Sequence, residues 1–223
     1  MIYYRNTVLW RDVTEQEWND WHWQFRNRIR DVDTLKKLID LSPDEENFLR
    51  ECLSHFRMAI TPYYACLIDP DDKNCPVRRQ CIPSPQEMEV SPFELADPLA
   101  EERDTKAPGV VHRYPDRVLF MITRKCAMYC RHCTRRRLAG DEDFSVSSRD
   151  IDMAVEYISS HHEIRDVLLS GGDPLVLGEK FLESVIRRLR KIPHVESIRI
   201  GTRTPVVIPM RITDELLDML RKY

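Results

Sequence analysis

The second half of this 223-residue sequence predicts an α/β fold built on a parallel sheet, on three observations. Three short apolar runs, VLFMIT (118–123), DVLLS (166–170) and SIRIG (197–201), have the composition of buried strands. Each is followed by a stretch with helical periodicity. The connections are long enough for parallel crossovers and carry start signals for helices. Residues 148–161 place Ile151, Ala154, Val155 and Ile158 on one face, Lys180–Lys191 forms a second amphipathic stretch, and Thr213 precedes a third with Leu216, Leu217 and Leu220. The alternation gives about three βα units across residues 116–223.

Residues 1–60 read as a helical region. Thr14-Glu15-Gln16-Glu17 has the form of a capping box, and Trp18, Trp21, Phe25 and Ile29 follow at helical spacing. All four tryptophans lie between Trp10 and Trp23, a stripe expected to be core or a subunit contact. Ser42-Pro43-Asp44-Glu45 repeats the capping signal, with Phe48, Leu49, Cys52, Leu53 and Phe56 as the apolar stripe. Residues 61–115 hold nine of the fourteen prolines and predict an ordered but irregular connector, because proline at that density excludes long helices and central strands.

A net charge of −3 exerts no general pull on nucleic acid or anionic membrane. No apolar run approaches the length of a membrane span, and the polar, aromatic start has no secretory h-region. Seven cysteines without an export signal predict thiols in a reducing, cytoplasmic setting rather than a disulfide framework.

Three of those cysteines, Cys126, Cys130 and Cys133, follow the first strand at spacings C-x3-C-x2-C. The exit of a parallel strand is where α/β proteins collect ligands. Three thiolates suit a [4Fe–4S] cluster with one iron left open for a small molecule. Zinc held by the same cysteines and His132 is the alternative, though His132 and Cys133 are awkward neighbours on one tetrahedral ion. Unligated thiols are the blandest reading. Cys52 reads as core, and Cys66, Cys75 and Cys81 are assigned no function. After the second strand comes Ser170-Gly171-Gly172-Asp173, in which paired glycines allow close backbone approach and a carboxylate could accept from a ligand's ammonium.

The C-x3-C-x2-C loop and the Gly-Gly-Asp motif together resemble the radical S-adenosylmethionine superfamily. In it the residue before the third cysteine, here His132, packs near adenine, and the glycine motif, here Gly171, Gly172 and Asp173, holds the methionine moiety. WNDWHWQFRNRI, MAITPYY, HRYPDRVLF, MYCRHCTRRR, DVLLSGGDPLV and RIGTRTPVV resemble more closely the lysine 2,3-aminomutase family, which includes glutamate and arginine 2,3-aminomutases.

That resemblance implies an isomerase moving an α-amino group to the β-carbon of lysine or a related amino acid, with a [4Fe–4S] cluster, S-adenosylmethionine and pyridoxal phosphate. It implies an electron donor such as flavodoxin or ferredoxin. It also implies that Arg113, Tyr114 and Arg117 contact pyridoxal phosphate and that Arg135 pairs with the substrate carboxylate. Arg136 and Arg137 read as a solvated basic face. The family's (β/α)6 barrel has six units against three here, so the expectation is a partial TIM-like barrel resembling the N-terminal half of an aminomutase. Such a chain is expected to be inactive alone, completed by a C-terminal chain or working as a homo-oligomer, with its third strand an open edge. A non-catalytic iron–sulfur or zinc module is the reading from another class.

Overall fold

The structure, a computed structural model, describes residues 3–89, 91–140 and 146–223. The chain divides into two compact units. One comprises the residues to Leu95 with Ala127–Arg136 and Pro205–Met210, and the other Ala96–Cys126, Arg137–Thr204 and Arg211–Tyr223.

Local signals build the first unit. The Thr14 hydroxyl accepts from the Glu17 amide (3.2 Å) and the Glu17 carboxylate from the Thr14 amide (3.0 Å), opening α1 (Glu15–Asn19). The helix does not run on to Phe25 as the spacing predicts. Asp20 adopts extended backbone, and its carboxylate accepts from the His22 amide at 2.9 Å to start α2 (Trp21–Arg26). Ile29 lies beyond both helices, in an antiparallel bridge with Ile60. The tryptophan stripe is core. Trp10, Trp18 and Trp21 are buried, and Trp18 stacks on Tyr4 with centroids 4.0 Å apart.

α3 (Val32–Leu35) precedes α4 (Pro43–His55), whose capping box on Ser42 and Glu45 forms as expected and whose buried face carries Leu49 and Cys52. The proline-rich stretch yields single turns where proline sits at a helix start, α5 (Pro62–Ala65) and α6 (Pro76–Cys81).

In the second unit α7 (Glu101–Asp104) leads into β1 (Thr105–Ala107) and β2 (Val110–Tyr114). This corrects the irregular connector expected for residues 61–115. The five residues of β2 contain no proline, so β2 pairs on both sides inside the sheet. β3 (Arg117–Thr123), α8 (Ser148–Ser160), β4 (Asp166–Gly171), α9 (Glu179–Leu189) and β5 (Ser197–Ile200) follow as the alternation predicts, then the one-turn α10 (Thr204–Val207) and α11 (Asp214–Arg221).

The sheet is mixed, in the order β1-β2-β3-β4-β5. β1–β2 and β2–β3 are antiparallel, and β3–β4 and β4–β5 are parallel. Its core is Phe120, Ile122, Val167 and Leu169 against Ile151, Ala154 and Ile158 of α8 and Leu182, Val185 and Leu189 of α9. Each fully buried leucine or isoleucine contributes about 1.5–3 kcal/mol. β5 pairs with β4 alone among the described strands, leaving its other edge open.

Candidate functional site

Parallel pairing aligns the exits of β3, β4 and β5, and in the chain the cysteine loop follows β3 and Gly172-Asp173 follow β4. Cys126 lies three residues past β3 in the second unit, half-buried, while Cys130 and Cys133 belong to the 127–136 segment of the first unit. None of the seven cysteines is joined in a disulfide. Cys52, Cys66, Cys75 and Cys81 are buried, and the three loop cysteines are partly exposed. Among the described residues no three histidine, cysteine, aspartate or glutamate side chains are grouped to hold a metal ion, so the claim of the loop to a cluster rests on spacing and donor chemistry.

Within the first unit the cysteine segment is pinned by residues the sequence reading passed over. The Tyr129 amide donates to Ala59 O (3.1 Å) and the Arg131 amide to Gln80 O (3.0 Å). The Arg131 guanidinium, between Cys130 and His132 in the chain, pairs with the Glu87 carboxylate through Nε (3.0 Å) and Nη2 (2.5 Å). It also donates to Arg57 O (3.0 Å). Both members of this forked pair are largely buried, at 10% and 13% side-chain exposure, so it holds its geometry better than a surface pair. His132 is exposed and lines a cavity of about 690 Å³ in the same unit, with Phe48, Ile82, Pro83, Glu87 and Arg131 among its walls.

Within the second unit the Gly-Gly-Asp motif leaves β4 directly against the residues preceding Cys126. A Cβ on Gly171, at φ +112°, would stand 2.3 Å from Thr123 O, and one on Gly172 would stand 2.2 Å from Lys125 O. The glycines are therefore required by contact with the chain's own backbone. Their neighbours' hydrogen bonds run the same way: Gly172 N donates to Thr123 O (2.6 Å) and Asp173 N to Lys125 O (2.8 Å).

The buried Asp173 carboxylate accepts from Leu175 N, Thr202 Oγ1, Arg203 N and Thr204 N at 2.7–3.0 Å. The expectation that it accepts from a ligand's ammonium meets a carboxylate already filled by protein donors. A buried arginine that sequence reasoning also missed supports this region. Arg211, with no side-chain exposure, donates to Leu175 O (2.7 Å) and Leu177 O (3.0 Å) and pairs with Glu179 (2.6 Å). Thr204 Oγ1 is buried without a partner among the described residues.

Arg113, Tyr114 and Arg117 lie elsewhere. They sit on the turn from β2 into β3, where Tyr114 pairs with Arg117, at the entry end of the parallel strands. β3 spans seven residues, which puts Arg117 about 20 Å from the strand's exit. Arg113 donates to Leu99 O (2.7 Å), and Arg117 forks onto the adjacent Asp116 (3.0 and 3.2 Å). Arg135 is half-buried in the first unit. Arg136 reaches Glu87 and Glu94, and in the second unit Arg137 reaches Asp97 and Glu102.

Residues 120–223 match the profile of the Radical SAM superfamily. The chain is 55% identical to an L-lysine 2,3-aminomutase of Clostridium subterminale over 98% of its own length and 53% of that protein. It is 50% identical to an L-lysine 2,3-aminomutase of Bacillus subtilis (strain 168), over 99% of this chain and 47% of the relative. A glutamate 2,3-aminomutase of Clostridioides difficile (strain 630) is 47% identical over 94% of this chain and 50% of the relative. The chain spans about half the length of these curated relatives. By these matches residues 120–223 carry a radical S-adenosylmethionine domain, and the chain resembles the N-terminal half of the lysine 2,3-aminomutases.

Proposed function

We propose that this chain supplies the cluster-binding part of a radical S-adenosylmethionine amino acid 2,3-aminomutase acting on L-lysine or a related amino acid. The observation that carries the reading is the C-x3-C-x2-C segment after β3, whose three cysteines are partly exposed where the other four are buried. That donor set fits a [4Fe–4S] cluster, with Cys126, Cys130 and Cys133 as its holders. The chemistry such a cluster supplies is one-electron reduction of S-adenosylmethionine. The Arg131–Glu87 pair orients the middle of the segment, and the cavity beside His132 offers Phe48, Ile82 and Pro83, among charged side chains, as surfaces on which a purine ring can stack. With the amides of Gly172 and Asp173 and the Asp173 carboxylate committed, carbonyl oxygens are what the glycine pair retains for an ammonium.

Pyridoxal phosphate stands differently. Arg113, Tyr114 and Arg117 suit a phosphate by residue type, but they lie at the entry end of the sheet with both guanidiniums engaged. They do not fit a group shared with the strand exits. The amino-acid substrate, an electron donor of the flavodoxin or ferredoxin kind, and a complementing chain or second copy belong to the same proposal.

Anaerobic reconstitution with iron and sulfide tests the cluster. The broad visible absorbance of a thiolate-bound cluster is expected, lost in Cys126→Ala, Cys130→Ala or Cys133→Ala and retained in Cys75→Ala and Cys81→Ala. Stoichiometric zinc without iron would overturn the reading. For Arg135, the lysine variant in a preparation competent for aminomutation should lower kcat/KM at least about tenfold with iron content unchanged, because a point charge does not reproduce a bidentate fork on a carboxylate. Unchanged kcat/KM would remove Arg135 from the substrate site.

A further inference from the structure

We infer that Asp173 is a positioning residue, whose carboxylate clasps the segment leaving β5 to the Gly171–Gly172 pair, and that it does not itself bind the ligand. The inference rests on the strand exits being the S-adenosylmethionine site, as proposed above.

A carboxylate offers two oxygens and about four acceptor positions. At Asp173 all are used by the protein. Oδ1 accepts from Leu175 N (3.0 Å) and Thr202 Oγ1 (2.7 Å), and Oδ2 from Arg203 N (2.8 Å) and Thr204 N (3.0 Å). Asp173 as a whole is 5% exposed, so water does not compete for these positions. The main chain of the same residue faces the other neighbour, with Asp173 N on Lys125 O and Gly172 N on Thr123 O. One dipeptide thus joins the exits of three adjacent parallel strands: β3 on its way to Cys126, β4 itself, and β5 through Thr202–Thr204. A ligand bound at these exits meets a surface whose relative heights Asp173 sets. Its carboxylate contributes through Thr202, Arg203 and Thr204 rather than by touching the ligand.

The two roles separate in the 223-residue chain by hydrogen exchange at residues 202–204, which needs no cofactor, and by S-adenosylmethionine binding to the reconstituted chain. Asp173→Asn puts an amide group where one oxygen accepts from two donors, and Thr202→Val removes a hydroxyl that donates to Asp173 and also accepts from Thr204 N (3.0 Å), so in the Thr202 variants Arg203 is the amide that reports on the clasp. The clasp predicts exchange at Arg203 and Thr204 at least about tenfold faster in Asp173→Asn, faster at Arg203 to a smaller degree in Thr202→Val, and protected again in Thr202→Ser. It also predicts weaker S-adenosylmethionine binding in Thr202→Val, in the direction of Asp173→Asn, with iron content unchanged.

A carboxylate that bound the ligand directly would leave exchange at Arg203 as in the unaltered chain in both variants, and Thr202→Val would bind normally. Either result overturns the inference. Should Asp173→Asn fail to fold, the Thr202 pair decides alone. If the unaltered chain takes up no iron and binds no S-adenosylmethionine, the functional reading falls, while the exchange data still decide the clasp.

Discussion

The two ends of the parallel strands in the second unit are built from different chemistry. At the exit end, glycines lie against the carbonyls of Thr123 and Lys125, Asp173 takes four donors, and Arg211 is wholly enclosed. At the entry end the strands are tied by ion pairs in water. Arg117–Asp116 is about half exposed on both sides, Arg165–Glu196 is 62% and 59% exposed, and Arg199 pairs with Asp166. Buried, mutually satisfied polar groups permit one arrangement, whereas exposed pairs tolerate several at little cost. The end with a single permitted arrangement is the one that leads to Cys126.

This contrast can be broken by substitution, and the effects should fall in order from exit to entry. Gly172→Ala should act most strongly, by about 5 kcal/mol or by loss of folding, because its Cβ would meet backbone at Lys125 that no rotamer change relieves. Denaturant unfolding of the chain measures it, and a loss under about 1 kcal/mol would show that the exit end yields.

Arg211→Met comes next, at about 2–3 kcal/mol, since it strands the buried Leu175 carbonyl and takes the donor from the Leu177 carbonyl and the partly exposed Glu179 carboxylate. The same unfolding curve reads it, with Arg211→Lys intermediate.

Arg165→Ala should be smallest, with no resolvable midpoint shift at neutral pH. Its partner supplies a pH check. The Arg165 side chain, by hydrogen bonding, holds the Glu196 carboxyl below the usual carboxylate range. A lowered folded value means that the contribution is present above the ordinary glutamate range and is lost as pH falls through the lowered one. Any small difference between Arg165→Ala and the unaltered chain should therefore vanish in acid, and salt should shrink it.

How much of this was legible beforehand follows from how far apart the interacting residues stand in the chain. The boxes at Thr14–Glu17 and Ser42–Glu45 span three residues and were read directly, as were the three βα units from their periodicity. The break at Asp20 was missed because the residue that ends one helix starts the next, so the apolar period runs on uninterrupted. β2 escaped notice as five proline-free residues in a proline-rich stretch.

The site shows the same division. The loop cysteines announce themselves by spacing, while the brace at Arg131 comes from Glu87, 44 residues earlier. The one local hint was an arginine set between two ligand-type residues. Asp173 was noticed, but its partners Thr202 and Arg203 stand 29 and 30 residues on, and nothing in Gly-Gly-Asp says that its acceptors are taken.

The division of the seven thiols has a consequence for how this protein ages in air. Oxidants attack thiolate, and the thiol of Cys66, pushed up to about 12 by burial, remains protonated at any physiological pH. Cys52 is shifted the same way for the same reason, and Cys75 and Cys81 are enclosed. Sulfenic and sulfinic acids then form first at Cys126, Cys130 and Cys133, the three partly exposed thiols. Oxygen damage thus reaches the proposed cluster ligands before it reaches the thiols packed in the core.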